Sequence, residues 1–192
     1  QGREEESAAF HELLTSYVAG TLSSPLNVLI ASHLELTPRN RPIVEALEGM
    51  CGEDLRDFSP IPLENREAML ASILARPREE ARFQQNVAAP NVDELPQPLS
   101  LFVGLPFKDL NWRRVVPGLK EVKLATHEQG EASLLFVGAG RRMLEHTHEG
   151  YEFTLVIKGS FSDDRGRYER GDICIADSRL SHRPQADDAG DC

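Results

Sequence analysis

The chain has 192 residues, 40% of them hydrophobic and 27% charged, and a formal net charge of −10. That length fits one or two domains with an ordinary apolar core, and the acidic balance argues against direct nucleic-acid binding through phosphate neutralisation. Apolar runs such as Leu134 to Val137 and Ile173 to Ala176 are too short to cross a bilayer, and no charged-then-apolar leader opens the chain, so it reads as cytoplasmic with no membrane contact. Cys51, Cys174 and Cys192 are widely separated and form no CxxC pair, which indicates neither a disulfide framework nor a thiolate zinc knuckle. Asp and Glu outnumber Lys and Arg by 10 to 4 over residues 1–60. That acidic face either solubilises the chain or draws in a basic partner.

Helical spacing comes first along the chain. Residues 8–22 place Phe10, Leu13, Leu14, Tyr17 and Val18 on one stripe, with Gly20 near the expected end. Ser24 then Pro25 reads as an N-cap with proline at the first helical position, and Leu26, Leu29, Ile30, His33 and Leu34 form the next stripe, with His33 on its buried side. A third helix begins near Pro42 with Val44, Leu47, Cys51 and Leu55 on one face, and a fourth covers 64–84 with Leu70, Ile73 and Leu74. From Val87 to Ser100 the text "VAAPNVDELPQPLS" carries Pro90, Pro96 and Pro98, which predicts an extended, stiff connector without helix. Beyond it come short β-rich runs, "WRRVV", "LKEVKLA", "ASLLFVG", "EFTLVIKG", "GRYERGD" and "ICIAD", punctuated by turn signals. The expected architecture is α+β with two domains, a small all-helical domain over 1–86, a Pro-rich linker over 87–100, and a sandwich or barrel over 101–192.

One constellation carries chemistry. Residues i and i+2 of a strand share a face, so His146 and His148 aim both imidazoles at one site while Thr147 faces away. Glu152 opens the next predicted strand, and a turn through Glu149-Gly150-Tyr151 returns its carboxylate to them. His182, after "ICIAD", completes a set of three His and one Glu. Such N and O donors suit Zn, Fe, Mn, Ni or Cu. His127 lies in a loop-like turn without motif spacing and reads as solvated.

The spacing Gly140, five residues, His146-x-His148, three residues, Glu152, six residues, Gly159 resembles the first cupin motif at every fixed position. Gly171-Asp172 followed by His182 resembles the second motif without its usual proline-glycine pair. The resemblance implies a cupin β-barrel or jelly roll that holds one divalent metal through His146, His148, Glu152 and His182, zinc ahead of iron, manganese or nickel. The stretch "LLTSYVAGTLSSPLNVLIASHLEL" followed by "NRPIVEALEGMCGEDL" resembles the N-terminal zinc-binding anti-sigma domain of the ChrR family. "LPFKDLNWRRVVPGLKEVKL", "EHTHEGYEFTLVIKGSFSDDRGRYERGD" and "LSHRPQADD" resemble the cupin domain of that family, so the likeness spans nearly the whole chain. It implies a non-enzymatic regulator: an anti-sigma factor whose helical domain sequesters an extracytoplasmic-function sigma factor and whose cupin sensor domain releases it on an oxidative signal.

The chain departs from the family at the helical zinc site. Where the family has His-x3-Cys-x2-Cys, this sequence has His33, Thr37 and Asn40, and the upstream ligand position falls on Ala8, with His11 three residues away. Thr37 and Asn40 are poor zinc ligands. The expectation is therefore a helical domain without zinc, with His33 as a hydrogen-bonded helix-face histidine and the apolar stripes supplying the roughly 10 kcal/mol that a structural zinc contributes elsewhere. ChrR-like cupins continue into one further strand past the position of Asp191-Cys192, which implies a barrel either incomplete or closed by a partner chain. A rival reading is a metal-dependent cupin enzyme, dioxygenase- or isomerase-like, with a helical dimerisation arm and with Tyr151, Glu145 and Arg183 beside the ligands. A third is an adaptor whose helical domain has changed partner.

Overall fold

The computed structural model describes residues 2–76, 95–127, 130–147 and 149–192, with the backbone alone for residues 2–5, 54, 125–127 and 130. His148, the His127 side chain, the end of the predicted fourth helix and residues 87–94 of the predicted linker lie outside the described residues. The helices are α1 (Gly2–Val18), α2 (Ser24–Leu36), α3 (Arg41–Asp54), α4 (Arg66–Leu74) and α5 (Gln97–Val103). The strands are β1 (Arg113–Val116), β2 (Leu119–His127), β3 (Gly130–Val137), β4 (Glu152–Leu155), β5 (Ser160–Asp163), β6 (Gly166–Glu169), β7 (Ile173–Ala176) and β8 (Gln185–Ala186). No helix among the described residues is long and apolar enough to cross a membrane.

Helix α1 starts six residues before its apolar stripe, because the segment GREEES is mostly Arg and Glu, good helix formers that leave no hydrophobic period to read. Ser23, rather than Ser24, is the residue at the N-cap of α2, and Pro25 sits in its first turn. The expected helix-free linker is corrected at its end. Pro98 occupies the first turn of α5, where its missing N–H leaves no intrahelical bond unmade. The Gln97 N–H in that turn donates to both carboxylate oxygens of Glu35 on α2, at 3.2 and 3.0 Å. Apolar contact reinforces the join, since Val28 of α2 packs into the cluster of Leu99, Leu110, Val122 and Leu134.

The expected β-rich domain is present as three short antiparallel sheets among the described residues, ordered β1-β2-β3, β4-β7 and β6-β5-β8, rather than as one continuous ring. β4 and β7 pair with Glu152 opposite Ala176 and Leu155 opposite Ile173. The predicted strand over 152–159 thus stops at Leu155, and β5 and β8 arise in stretches without a strand reading. Cys192 exchanges backbone hydrogen bonds with Val137 at 2.7 and 2.8 Å, which lays the last residues along β3. This explains the closing glycine of the motif. Gly159 has φ 69°, and a Cβ there would fall on the Asp191 carbonyl oxygen.

The first helices and β7 share a core cluster, distinct from the one around Leu99. Leu13, Leu14, Ile30, Leu34 and Val44 cluster with Ile175 of β7, and Phe153 and Ile173 pack against them. The stripe of α3 is shorter than predicted, for Val44 is buried and Leu47 packs on the cluster, whereas Cys51 is exposed and Leu55 is 69% exposed.

A polar knot completes the docking. His33 is 2% exposed, and its ring lies 2.6 Å from the Gly171 carbonyl oxygen through Nδ1. A carbonyl only accepts, so the proton sits on Nδ1, and Nε2 accepts from the Asn40 side-chain amide at 2.8 Å. The Thr37 hydroxyl donates to the same Gly171 carbonyl at 3.0 Å, and Arg39 pairs with Asp172 at 2.9 Å. Both ring nitrogens of His33 are thus engaged, in the hydrogen-bonded role expected of it. Of the residues standing at the two thiolate positions, Thr37 ties the end of α2 to the β6–β7 turn, and Asn40 holds the His33 ring that bonds the same turn.

Burial holds the His33 pKa below its ordinary 6.5, against the opposing pull of the Gly171 hydrogen bond. The unfolded chain takes up that proton more readily, so the contribution of His33 to stability is present above pH 6.5 and is lost as pH falls through the lowered folded value. The urea midpoint, followed by circular dichroism, is expected to drop from neutral pH to about pH 5. The drop is smaller in His33→Gln.

Candidate metal centre

Four elements bring the site together. His146 and His182 exchange backbone hydrogen bonds at 3.2 Å in each direction, a single antiparallel bridge that holds two loop residues side by side. The expected strand through His146 is therefore reduced to this bridge. Glu152 begins β4 as expected, and its pairing with β7 fixes where the carboxylate points. His182 follows β7 and is 4% exposed. The ring centroids of His146 and His182 lie 4.7 Å apart, and His182 Nε2 is 3.5 Å from Glu152 Oε2.

Donor atoms of His146, Glu152 and His182 all lie within 4.8 Å of one another. Ligand bonds of about 2.0–2.2 Å put the donors of one ion at most about 4.4 Å apart, so small side-chain rotations close this set around a cation. The ring of His146 is already oriented for it. Its Nδ1–H donates to the Leu144 carbonyl at 2.8 Å, which turns Nε2 toward the site. The residues present fit a divalent ion held by nitrogen and oxygen. His148, the fourth predicted ligand, lies outside the described residues.

A cleft of about 1480 Å3 between α2, α5 and the strands reaches His146, Glu152 and His182, and Trp112, Phe136 and Phe153 are among its walls. A smaller, polar cleft of about 520 Å3 meets His182 from the side of Asp163. Of the three residues placed beside the ligands on sequence grounds, Glu145 and Arg183 line the polar cleft with His182, and Tyr151 lines the larger one. Glu145 accepts the Ser181 hydroxyl at 2.8 Å, Arg183 donates to the Met143 carbonyl at 3.3 Å, and Tyr151 stacks on Phe153 while 65% exposed.

Sequence reasoning missed what lies behind His182. Its Nδ1 is 3.6 Å from Oδ2 of Asp163, whose side chain is fully buried. Asp163, Cys174 and His182 form a second group with donor atoms within 4.8 Å. This group is the poorer metal site, because burial pushes the Cys174 thiol up to about 12 and leaves little thiolate at neutral pH. The guanidinium of Arg165 also stands 2.9 Å from the sulfur. The available signal was the text "SFSDDRGRYE", in which two strand-like runs flank a turn and place Asp163 next to the turn on β5.

Residues 103–192 match the family profile described as ChrR Cupin-like domain. Over 181 residues the chain is 36% identical to the anti-sigma-E factor ChrR of Cereibacter sphaeroides, covering 94% of this chain and 83% of that protein. It also resembles a solved chain in the crystal structure of Rhodobacter sphaeroides SigE in complex with the anti-sigma ChrR, with a TM-score of 0.74 and 34% identity, over 95% of this chain and 92% of that one.

Proposed function

The chain belongs to the ChrR family, and we propose from that premise that it is an anti-sigma factor which sequesters an extracytoplasmic-function sigma factor through residues 1–86. The observation that carries this reading is the apolar surface that α3, α4 and their connection leave in solvent. Leu55, Phe58, Ile61, Leu63, Ile73 and Leu74 are 59–89% exposed. Six large apolar side chains so exposed within twenty residues of sequence support an interface there. A sigma factor is the partner named with the similar solved chain. The acidic excess over residues 1–60 complements a basic partner and speeds its encounter.

Within residues 101–192, His146, His148, Glu152 and His182 would hold one divalent ion, zinc first. When bound, that ion supplies a Lewis-acidic centre with exchangeable ligands. The chain's own residues do the rest. Leu144 fixes the tautomer of His146, β4 and β7 set the angle of the Glu152 carboxylate, and the cleft beside Trp112 and Phe136 admits a small oxidant to the ligands. An oxidative change at these side chains would lower the affinity of the helices for the sigma factor only by its differential effect on the bound and released states. The chain acts as a regulator and not as an enzyme, in keeping with its relative.

Purification of the full chain together with an extracytoplasmic-function sigma factor of the same organism tests this reading. A stable one-to-one complex carrying one metal per anti-sigma chain supports it. Failure of the two chains to associate contradicts it.

A further inference from the structure

Behind the metal-facing histidine a line of buried charge runs out of the cupin and into the helices. Asp163 is fixed by its own turn, where Oδ1 accepts the backbone N–H groups of Arg165 and Gly166 at 2.9 and 3.2 Å. Its Oδ2 is left to face two cations or donors, Arg165 Nη2 at 3.1 Å and His182 Nδ1 at 3.6 Å. The guanidinium of Arg165, 15% exposed, also bonds the Ile175 carbonyl and the Cys174 sulfur. On its far side Nη1 lies 3.7 Å from Oε1 of Glu6, a residue of α1. Glu6 Oε1 in turn accepts the Ile175 N–H at 3.0 Å and the Tyr168 hydroxyl at 3.2 Å, so α1 is held on β7 by a charge as well as by Leu13 and Leu14.

We propose that Asp163 and Arg165 form a charge bridge from His182 to Glu6, so that occupation of the cupin site sets how firmly α1 is held against the sheet. The inference rests on the metal reading above and adds its route to the helices. Once Nε2 of His182 is spent on a ligand bond, Nδ1 carries the ring proton and becomes the stronger donor toward Asp163. The carboxylate that has been balancing Arg165 is then shared with His182. Arg165 responds by pairing more closely with Glu6, because a buried guanidinium with an under-compensated counter-charge is costly. Asp163, Arg165 and Glu6 are positioning residues in this scheme, since none of them is a ligand.

The test is amide hydrogen exchange of α1 in the full chain, stripped with chelator and then titrated with zinc while metal uptake is measured separately. In the wild-type chain zinc is expected to slow exchange in α1 by about tenfold, inside the usual range for coupled sites. Glu6→Gln keeps an amide oxygen for Ile175 and Tyr168 and removes only the charge. It is expected to take up zinc as the wild type does while α1 no longer responds. Glu12→Gln, a charge loss on the exposed side of α1, is expected to respond like the wild type, and its failure to respond would count against the bridge. Zinc uptake with no change at α1, or a Glu6→Gln chain that responds in full, overturns the bridge and leaves the metal reading standing. A wild-type chain that takes up no zinc overturns the metal reading itself and the coupling with it.

Discussion

Replacing Phe58 and Ile61 together by Asp is expected to weaken sigma-factor binding by about a thousandfold. The two side chains are 73% and 89% exposed, so neither supports the core of Leu13, Leu14, Ile30, Leu34, Val44 and Ile175, and the substituted chain keeps its helical signal and its unfolding midpoint. In a complex the same side chains become buried apolar anchors. Losing one such anchor costs about 2 kcal/mol or more, and each 1.4 kcal/mol is about tenfold in affinity. A carboxylate forced into that contact adds its own desolvation cost. Isothermal titration of the sigma factor with both chains gives the ratio. Equal affinities would place the interface elsewhere on the molecule.

The second large effect is on metal content. On the proposed metal role, His182→Ala is expected to take the chain from about one bound divalent ion to almost none, because His182 is buried and is linked by backbone to a second proposed ligand, His146. His182 also fills space, so loss of metal in this variant is read beside Glu152→Gln, which keeps the shape of a half-exposed side chain and removes its charge. Native-state binding stabilises by about 2.7 kcal/mol at a hundredfold excess of free metal over Kd. The melting temperature of the wild-type chain should therefore rise on adding zinc, while those of His182→Ala and Glu152→Gln stay flat. Elemental analysis of protein purified without chelator checks the first outcome, and a thermal melt with and without zinc the second.

Much of this arrangement is legible in the sequence where one residue type has one use. The apolar stripes of α1 and α2 locate Leu14, Ile30 and Leu34 in the core, because a 3.6-residue period has no other economical explanation. The motif glycines are legible for the same reason, as Gly159 sits where a side chain would meet the Asp191 backbone. Legibility ends where tertiary contact overrides local preference. Pro96 and Pro98 read as a helix stop, yet Pro98 begins α5 because the Glu35 carboxylate caps that helix from a residue 62 positions away. The apolar residues that mark the fourth helix, Leu70, Ile73 and Leu74, are exposed. A stripe says that a face wants burial and not whether the burial lies inside the chain. The trio His146, Glu152 and His182, whose donor atoms the fold brings within 4.8 Å of one another, was legible because histidines are scarce and the motif spacing is specific. Asp163 and Arg165 were not, since a carboxylate next to a turn is ordinary and the link to Glu6 spans more than 150 positions of sequence.

The role of His33 shows how one substitution pattern carries two messages. With Thr37 and Asn40 in place of thiolates, its ring bonds Asn40 and the Gly171 carbonyl, and the helical unit is tied to the cupin by hydrogen bonds that a sequence of ligand spacings does not announce. The consequence is a helical unit and a sheet that act on each other directly, through Gly171 on one side of the contact and Glu6 on the other. On the proposed sensing role, a change at His146, Glu152 and His182 would have a short physical path to α1.

The most direct measurement is transcription in vitro from a promoter read by an extracytoplasmic-function sigma factor that copurifies with this chain, with the full chain added in increasing amounts. The account predicts that transcripts fall to background as the chain reaches one copy per sigma factor, with Phe58→Asp/Ile61→Asp leaving transcription intact at that ratio. Transcription that continues unchanged through a severalfold excess of the chain would contradict it.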